Sequence, residues 1–278
     1  MTSLTVLPRH EPTAVSQTEL CALSEAAQRA ADAAAEVTMQ YFRNEMHVLN
    51  KAGTDNFDPV TAADRSAELA IRDSLYKEFP GIGFFGEEHA ATKGSSGLLW
   101  VVDPIDGTRA FMSGMPLWGT LIGLYNGRDA ILGVMDQPFL QERYVGDGKV
   151  AHVTDHLGRH QLTTRNCSDL ALATLYCTTP DMFAAGVEQD RFQTVRQSVQ
   201  LTRYGGDCYA YALLAAGHVD IVLDGDLKPY DIQALIPIVE GAGGIVSNWQ
   251  GDSAVDGGLV VACGNRAVHE SVIALLQG

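Results

Sequence analysis

The chain is poor in cationic side chains: 19 Lys and Arg stand against 34 Asp and Glu, a formal net charge of −15. Such a surface repels nucleic-acid phosphates and anionic lipid, so neither is an expected partner. It repels a phosphorylated substrate too, unless bound cations reverse the field locally. Cysteine is sparse and scattered, at Cys21, Cys167, Cys177, Cys208 and Cys263, with no Cys-x-x-Cys pair. That argues against a thiolate metal centre or a disulfide framework and fits a reducing compartment. No apolar run approaches the length of a membrane span, and the opening MTSLTVLPRHEP lacks the apolar core of a secretion signal. A soluble cytoplasmic protein is the expectation. Internal repeats, low-complexity tracts and a clear linker are all missing.

What is present is ordinary globular material: 278 residues, 46% hydrophobic and 19% charged. That length fits one large unit, with halves expected at 1–160 and 161–278. Ser16-Gln17-Thr18-Glu19 reads as a capping box, followed by apolar residues at helical spacing as far as Tyr41. A second helix is predicted from near Thr61 to Pro80, with Ala67, Ile71 and Leu75 facing inward and a polar loop, 51–59, before it. Beyond Ile82 the pattern changes to short apolar runs. Leu98–Val102, Leu117–Tyr125 and Ala130–Met135 are predicted strands, the last two joined by a hairpin at Asn126-Gly127. The second half alternates strands (Ala171–Cys177, Val219–Leu223, Gly244–Ser247, Leu259–Cys263) with helices near Cys208–Ala216, after Pro229 and after Asn265. The alternation predicts an α/β fold of sheets covered by helices.

Acids gather where elements end. Glu87 and Glu88 close Gly83–Gly86. Asp103 and Asp106 follow a buried strand within Asp103-Pro104-Ile105-Asp106-Gly107-Thr108, Asp64 falls in a first helical turn, and Asp231 follows Pro229. Pro104 fixes one torsion and Gly107 permits a bend closed to other residues. A turn of this kind aims two carboxylates and the Ile105 carbonyl at one point, the oxygen set that a hard cation such as magnesium takes. Crowded carboxylates without a cation would have to take up protons. Any one of these acids, taken alone, reads as a cap or a turn former; together they read as a metal site.

The blocks Gly86-Glu87-Glu88, Asp103–Thr108 and Tyr230-Asp231 followed by Gly241-Ala242-Gly243-Gly244 resemble, in order, the signatures of the inositol-monophosphatase-like phosphatases. The resemblance runs from about Ser16 to the C-terminus. It implies a layered αβαβα sandwich of helices and mixed sheets, two or three magnesium ions, a small phosphomonoester substrate and a homodimer. Position by position it implies that Glu87, Asp103, the Ile105 carbonyl, Asp106 and Asp231 hold the ions, with Glu87 also in the catalytic set. Thr108 and Asp64 would orient the attacking water, and the implied chemistry is direct displacement by water without a phosphoenzyme. Backbone amides around Gly107 and Thr108 would bind phosphate oxygens. The first half thus supplies Glu87, Asp103 and Asp106, and the second supplies Asp231 and the substrate pocket. Two departures stand out. Tyr230 occupies a position where the family usually has Trp, and the loop from Lys51 to Asp64 is about two residues longer than in the inositol enzymes, leaving Lys51 a candidate site residue.

Gly205–Tyr211, Asp224–Asp231 and Thr108–Gly114 look more like bacterial histidinol-phosphate phosphatases than inositol enzymes. Histidinol phosphate carries an ammonium and an imidazole, to which Asp207 and Asp224 offer carboxylates; Asp207 alone reads equally as a helix N-cap. The expected substrate contacts are Asp106, Gly107, Thr108, Arg109, Asp207, Asp224 and Asp231. Inositol-1-phosphatase or a broad sugar phosphatase is the alternative activity, and a non-catalytic cation-binding regulator the alternative class. Other signals are set aside. Gly81–Gly86 matches G-x-G-x-x-G but follows a helix and leads into acids. The Asp-x-x-Asp spacing is one residue too long for the nucleophile motif of haloacid-dehalogenase-type phosphatases. His152, His156 and His160 read as surface in a strand-like region, His89 as an exposed loop residue or else a support behind the metal glutamates, and Trp100 and Trp118 as core.

Overall fold

The computed structural model describes residues 7–43, 48–50 and 59–278; Lys51 lies outside them. Along the chain come α1 (Gln17–Tyr41), the short pair β1 (Val48–Asn50) and β2 (Pro59–Thr61), α2 (Ala62–Glu78), β3 (Gly83–Gly86) and β4 (Leu99–Asp106). A one-and-a-half-turn helix, α3 (Thr108–Met112), precedes the meander β5 (Gly119–Tyr125), β6 (Ala130–Gln137), β7 (Glu142–Gly146), β8 (Ala151–Asp155) and β9 (Gly158–Gln161). The second half runs β10 (Thr174–Cys177), α4 (Val187–Gln197), β11 (Leu201–Tyr204), α5 (Asp207–Ala215), β12 (Ile221–Leu227), α6 (Pro229–Ile232), α7 (Leu235–Gly241), β13 (Ile245–Asn248), β14 (Gly258–Cys263) and α8 (Arg266–Gln277).

Two sheets organise these elements. Seven strands lie in sequence order from β3 to β9, and only β3–β4 pair in parallel. The five-stranded sheet has the order β11-β10-β12-β14-β13. The strand faces alternate with period two. Trp100, Val102, Ile122, Leu124, Leu132 and Val134 face the helix pair α1 and α2, where Ala26, Ala27, Ala30, Ala31 and Ala34 of α1 lie buried beside Ala67, Ile71 and Leu75 of α2. Val101, Leu121 and Met135 face the other way, onto α5 and α7, whose far side packs on Val222, Val260 and Ala262 of the second sheet. Ile221, Leu223, Val261 and Cys263 pack beyond that on α4 and α8. The layers therefore stack as helices, sheet, helices, sheet, helices: the αβαβα sandwich expected. Both faces of each sheet are covered, so both faces of the central strands are apolar.

A row of glycines seats the middle layer. Gly123, Gly133 and Gly146 lie directly opposite one another across β5, β6 and β7. A Cβ at Gly123 would meet Gln233 and Ala234, one at Gly133 the carbonyl of Ala234, and one at Gly146 the backbone of Pro237 and Ile238. The bare row lets the backbone from Gln233 to Ile238 lie on the sheet, which fixes where Asp231, two residues before Gln233, stands.

Local expectations need adjustment in places. The Asn126-Gly127 hairpin is a four-residue loop in which the Asn126 carboxamide accepts the amides of Arg128 (3.1 Å) and Asp129 (2.9 Å). The strand predicted from Ala171 begins at Thr174 after a 3₁₀ turn. The helix after Pro229 divides into α6 and α7. Ser16 caps α1 as expected, accepting the Glu19 amide at 3.2 Å. His152 and His160 lie on β8 and β9. No helix among the described residues is long and apolar enough to cross a membrane.

Candidate active site

The site begins with an irregularity in β4. Asp103 pairs with Leu121 and Asp106 with Gly119, so three steps on β4 oppose two on β5. In a regular strand residues i and i+3 point to opposite faces; one inserted residue brings both to the same side. Thr120 Oγ1 pins the bulge by donating to the Pro104 carbonyl (2.8 Å), and Asp103 accepts the Ile105 amide (3.0 Å). The Ile105 side chain anchors the turn among Phe42, Ala63, Phe111 and Trp118. Gly107, at φ +81°, turns the chain into α3, and Thr108 Oγ1 donates to the Ile105 carbonyl (3.1 Å). The expected helix after Gly107 is there, with five residues.

Asp231 comes from the other half. It stands in the first turn of α6 and accepts the Lys228 amide at 2.6 Å, so the capping role holds for one of its oxygens. Carboxylate oxygens of Asp103, Asp106 and Asp231 nevertheless lie within 4.8 Å of one another. Glu87 lines the same cavity of about 170 Å³. Tyr230 packs its ring 6.1 Å from that of Phe85, joining the Asp231 turn to the strand that delivers Glu87. Asp64, only 2% exposed, lies near enough for its charge to act on Asp103.

Among the described residues six carboxylates line the cavity, from Glu87, Asp103, Asp106, Asp207, Asp224 and Asp231, with no Lys or Arg beside them. Their titration reflects the crowding. Burial, reinforced by the charges of Glu87, Asp106, Asp231 and Asp64, drives Asp103 well above the ordinary carboxylate range. Burial and Asp231 push Asp106 to about 7 despite a hydrogen bond from the Cys208 amide (2.7 Å). Burial lifts Asp231 to about 6 against the pull of Lys228. Desolvated acids held this close demand protons or cations. Three carboxylates within reach of one point, with a backbone carbonyl beside them, are the donor set of a hard divalent ion, so these residues fit magnesium.

The remaining expected residues separate. Gly107 and Thr108 line the cavity, while Arg109 is exposed and outside the lining, reaching the site only through its charge on Asp207. Asp207 is not the cap of α5. Gly206 occupies that position, and Asp207 follows at φ +44° with its Cβ against Gly107. The cap is supplied by Asp106, across the two halves, through the Cys208 amide. Burial and the charges of Asp106 and Asp224 raise Asp207 to about 7. Asp224 is tied to the scaffold, accepting the Thr178 amide (2.7 Å) and the Tyr211 hydroxyl (3.2 Å), and burial raises it to about 6. Cys208, Tyr211 and Leu227, which lie in the blocks that resemble the histidinol-phosphate phosphatases, also line the cavity, as do Thr178, Met182 and Leu235, which no signal in the sequence marks.

The profile of the inositol monophosphatase family matches residues 19–278. The chain belongs to the inositol monophosphatase family. Within that family it is 38% identical over 283 residues to the bifunctional phosphatase IMPL2, chloroplastic, of Arabidopsis thaliana, covering 98% of this chain and 80% of that one. It is 35% identical over 250 residues to a histidinol-phosphatase of Chlorobaculum parvum, with 88% and 93% covered. Among solved structures, an inositol monophosphatase from Zymomonas mobilis superposes with a TM-score of 0.82 at 38% identity, covering 95% of this chain and all of that one. This inositol monophosphatase family member is thus a phosphoric monoester hydrolase by family, and its acidic cavity lies where the two sheets meet the middle helices.

Proposed function

We propose that this phosphatase hydrolyses histidinol phosphate to histidinol and phosphate with magnesium. The carrying observation is a cavity lined, among the described residues, by six carboxylates and no basic side chain. A phosphate enters such a space only with cations, and Asp207 remains as a carboxylate beyond the set that holds them. Glu87, Asp103, the Ile105 carbonyl, Asp106 and Asp231 are the residues assigned to the ions, of which the resemblance implies two or three. Bound magnesium supplies a water of lowered pKa and neutralises the phosphate. The chain does the positioning. The bulge holds Asp103 and Asp106 on one side, and Asp231 closes the cluster from α6. Thr108 and Asp64 stand beside Asp103 and Asp106, where they orient the attacking water, and the Gly107–Thr108 backbone faces the phosphate.

Asp207 offers its carboxylate to the substrate's ammonium or imidazole, a charge-assisted pairing that a neutral inositol does not return. Asp224 shapes the floor of the pocket through Thr178 and Tyr211. The likeness to the Zymomonas mobilis structure favours inositol phosphate as the second reading. The test is phosphate release from histidinol phosphate, inositol-1-phosphate and fructose-1,6-bisphosphate, each with magnesium and with chelator. Histidinol phosphate is expected to have the highest kcat/KM, and Asp207→Asn to lower it about tenfold or more, the equivalent of about 1.4 kcal/mol, while sparing inositol-1-phosphate. Preference for inositol phosphate, or equal losses on both substrates, would overturn the substrate assignment. The same resemblance carries the homodimer, for which sedimentation is expected to show twice 29.8 kDa.

A further inference from the structure

A second acid on α2, one turn after Asp64, stands outside everything assigned above. Glu68 is fully buried, at 0% exposure, and does not line the cavity. Its Oε2 accepts the Glu88 amide at 2.7 Å. Its Oε1 accepts the His89 amide (3.1 Å), His89 Nδ1 (3.1 Å) and Arg72 Nη2 (3.3 Å). Arg72 also donates to the Ala90 carbonyl (3.1 Å) and lies 4.3 Å above the Phe84 ring.

The chain from Phe84 to Thr92 is a closed loop, tied at its base by reciprocal Phe84–Thr92 backbone bonds of 2.9 and 2.8 Å. The Glu68 carboxylate bonds the amides just past Glu87 and presses on the α-carbon just before it. A Cβ at Gly86 would land on that carboxylate, although nothing in Gly86's own backbone demands glycine. Glu87 is therefore flanked on both sides by one buried side chain from another element.

Burying an acid is costly unless its lone pairs are filled, and here three of the four donors come from the loop that carries Glu87 and the fourth from Arg72. We propose that Glu68 is a positioning residue that sets the cation affinity of the cluster by fixing the backbone on either side of Glu87, without touching an ion. This rests on the reading of Glu87 as a metal ligand. Groups that orient metal ligands change metal affinity roughly 10–100-fold when altered.

Glu68→Gln tests it directly. The amide keeps the shape but turns an NH₂ toward N–H donors that the carboxylate accepts. Manganese binding to the full chain is followed by electron paramagnetic resonance, with Glu87→Gln in parallel and thermal melts in chelator. Glu68→Gln is expected to weaken manganese binding roughly tenfold or more, to leave substrate KM at saturating metal unchanged, and to speed amide exchange at Glu88 and His89. Manganese affinity within twofold of the parent, while Glu87→Gln weakens it tenfold, would overturn the positioning role alone. Unchanged affinity in Glu87→Gln would overturn the ligand reading and this inference with it. Should Glu68→Gln fail to fold, Gly86→Ala perturbs the same contact from the loop side. The same loss of manganese affinity is expected there, and parent-like affinity overturns the proposal.

Discussion

Asp103 shows how much chemistry depends on one residue's surroundings. It is buried, accepts one backbone amide, and faces the charges of Glu87, Asp106, Asp231 and Asp64, which with burial hold its carboxyl far above the usual range. Without a cation that charge is a liability; with one it is a ligand. Asp103→Asn should therefore act in opposite directions on two measurements. Turnover should fall about 100-fold or more, at least about 2.7 kcal/mol of barrier, while the metal-free variant should melt above the metal-free parent at pH 7.5. A metal-free variant that melts lower would show that Asp103 is a structural acid. Asp103 and Asp106 were legible in the sequence because Pro104 and Gly107 fix the turn that carries them, and Glu87 and Asp231 because their blocks resemble those of the family. Glu68 was not, because a Glu in Arg65-Ser66-Ala67-Glu68 reads as one more polar helix position until the loop it bonds is placed against it. For Asp207 a cap and a substrate carboxylate read equally well, because local sequence cannot show that Asp106, about a hundred residues earlier, supplies the cap instead. Arg109 was included because it lies in the block Thr108–Gly114 that resembles the histidinol-phosphate phosphatases, and the chain turns it outward.

Among the elements, the bulge in β4 and the glycine row do most to form the site. The convergence of two acids and the Ile105 carbonyl was legible in the Asp-Pro-Ile-Asp-Gly-Thr turn, although the bulge that produces it needs the register with β5 to be seen. The glycine row was invisible. A glycine inside a strand ordinarily weakens it by roughly 0.5–1 kcal/mol relative to alanine, so Gly133→Ala in β6 would be expected to stabilise. The pairing of Gly123, Gly133 and Gly146 reverses the sign, because a methyl at Gly133 runs into the Ala234 carbonyl. Gly133→Ala is predicted to cost about 2–3 kcal/mol in denaturant unfolding and to weaken metal binding as α6 is lifted with Asp231. A stabilised variant would mean the helix backbone does not rest on the sheet as described. Long periodic elements such as α1 and α2 were legible from their apolar spacing. Helix α4, whose inward residues are only Phe192 and Val195, carries too thin an apolar stripe to be read.

At the scale of the molecule, the net charge of −15 and the six cavity acids have one consequence for pH. Asp106 and Asp207 are pushed up to about 7, and Asp224 and Asp231 to about 6. Acids whose pKa is higher folded than unfolded bind protons more tightly in the native state. Their contribution is fully present below about pH 4 and is lost as pH rises through 6 to 7. The chelated protein should lose thermal stability from pH 5 to pH 7.5, and magnesium, which replaces those protons, should raise Tm more at pH 7.5 than at pH 5. An equal or smaller rise at pH 7.5 would contradict the assignment of these acids to cations. The helices α5 and α7 belong to one core with strands of both sheets, so we read the two halves as one cooperative unit with a single unfolding transition. Sheets covered by helices were legible from alternating strands and helices, and the five layers from the family resemblance; the order of strands in the second sheet was not, because parallel neighbours come from distant segments.

The central claim is that Asp103, Asp106 and Asp231, with Glu87, converge from distant parts of the chain to hold divalent ions. Crystals of the protein soaked in manganese, measured at a wavelength where manganese scatters anomalously, test it most directly. The account predicts anomalous peaks among these carboxylates, at distances of about 2.0–2.6 Å typical of hard cations and oxygen. Peaks elsewhere, with none in this cavity, would contradict it.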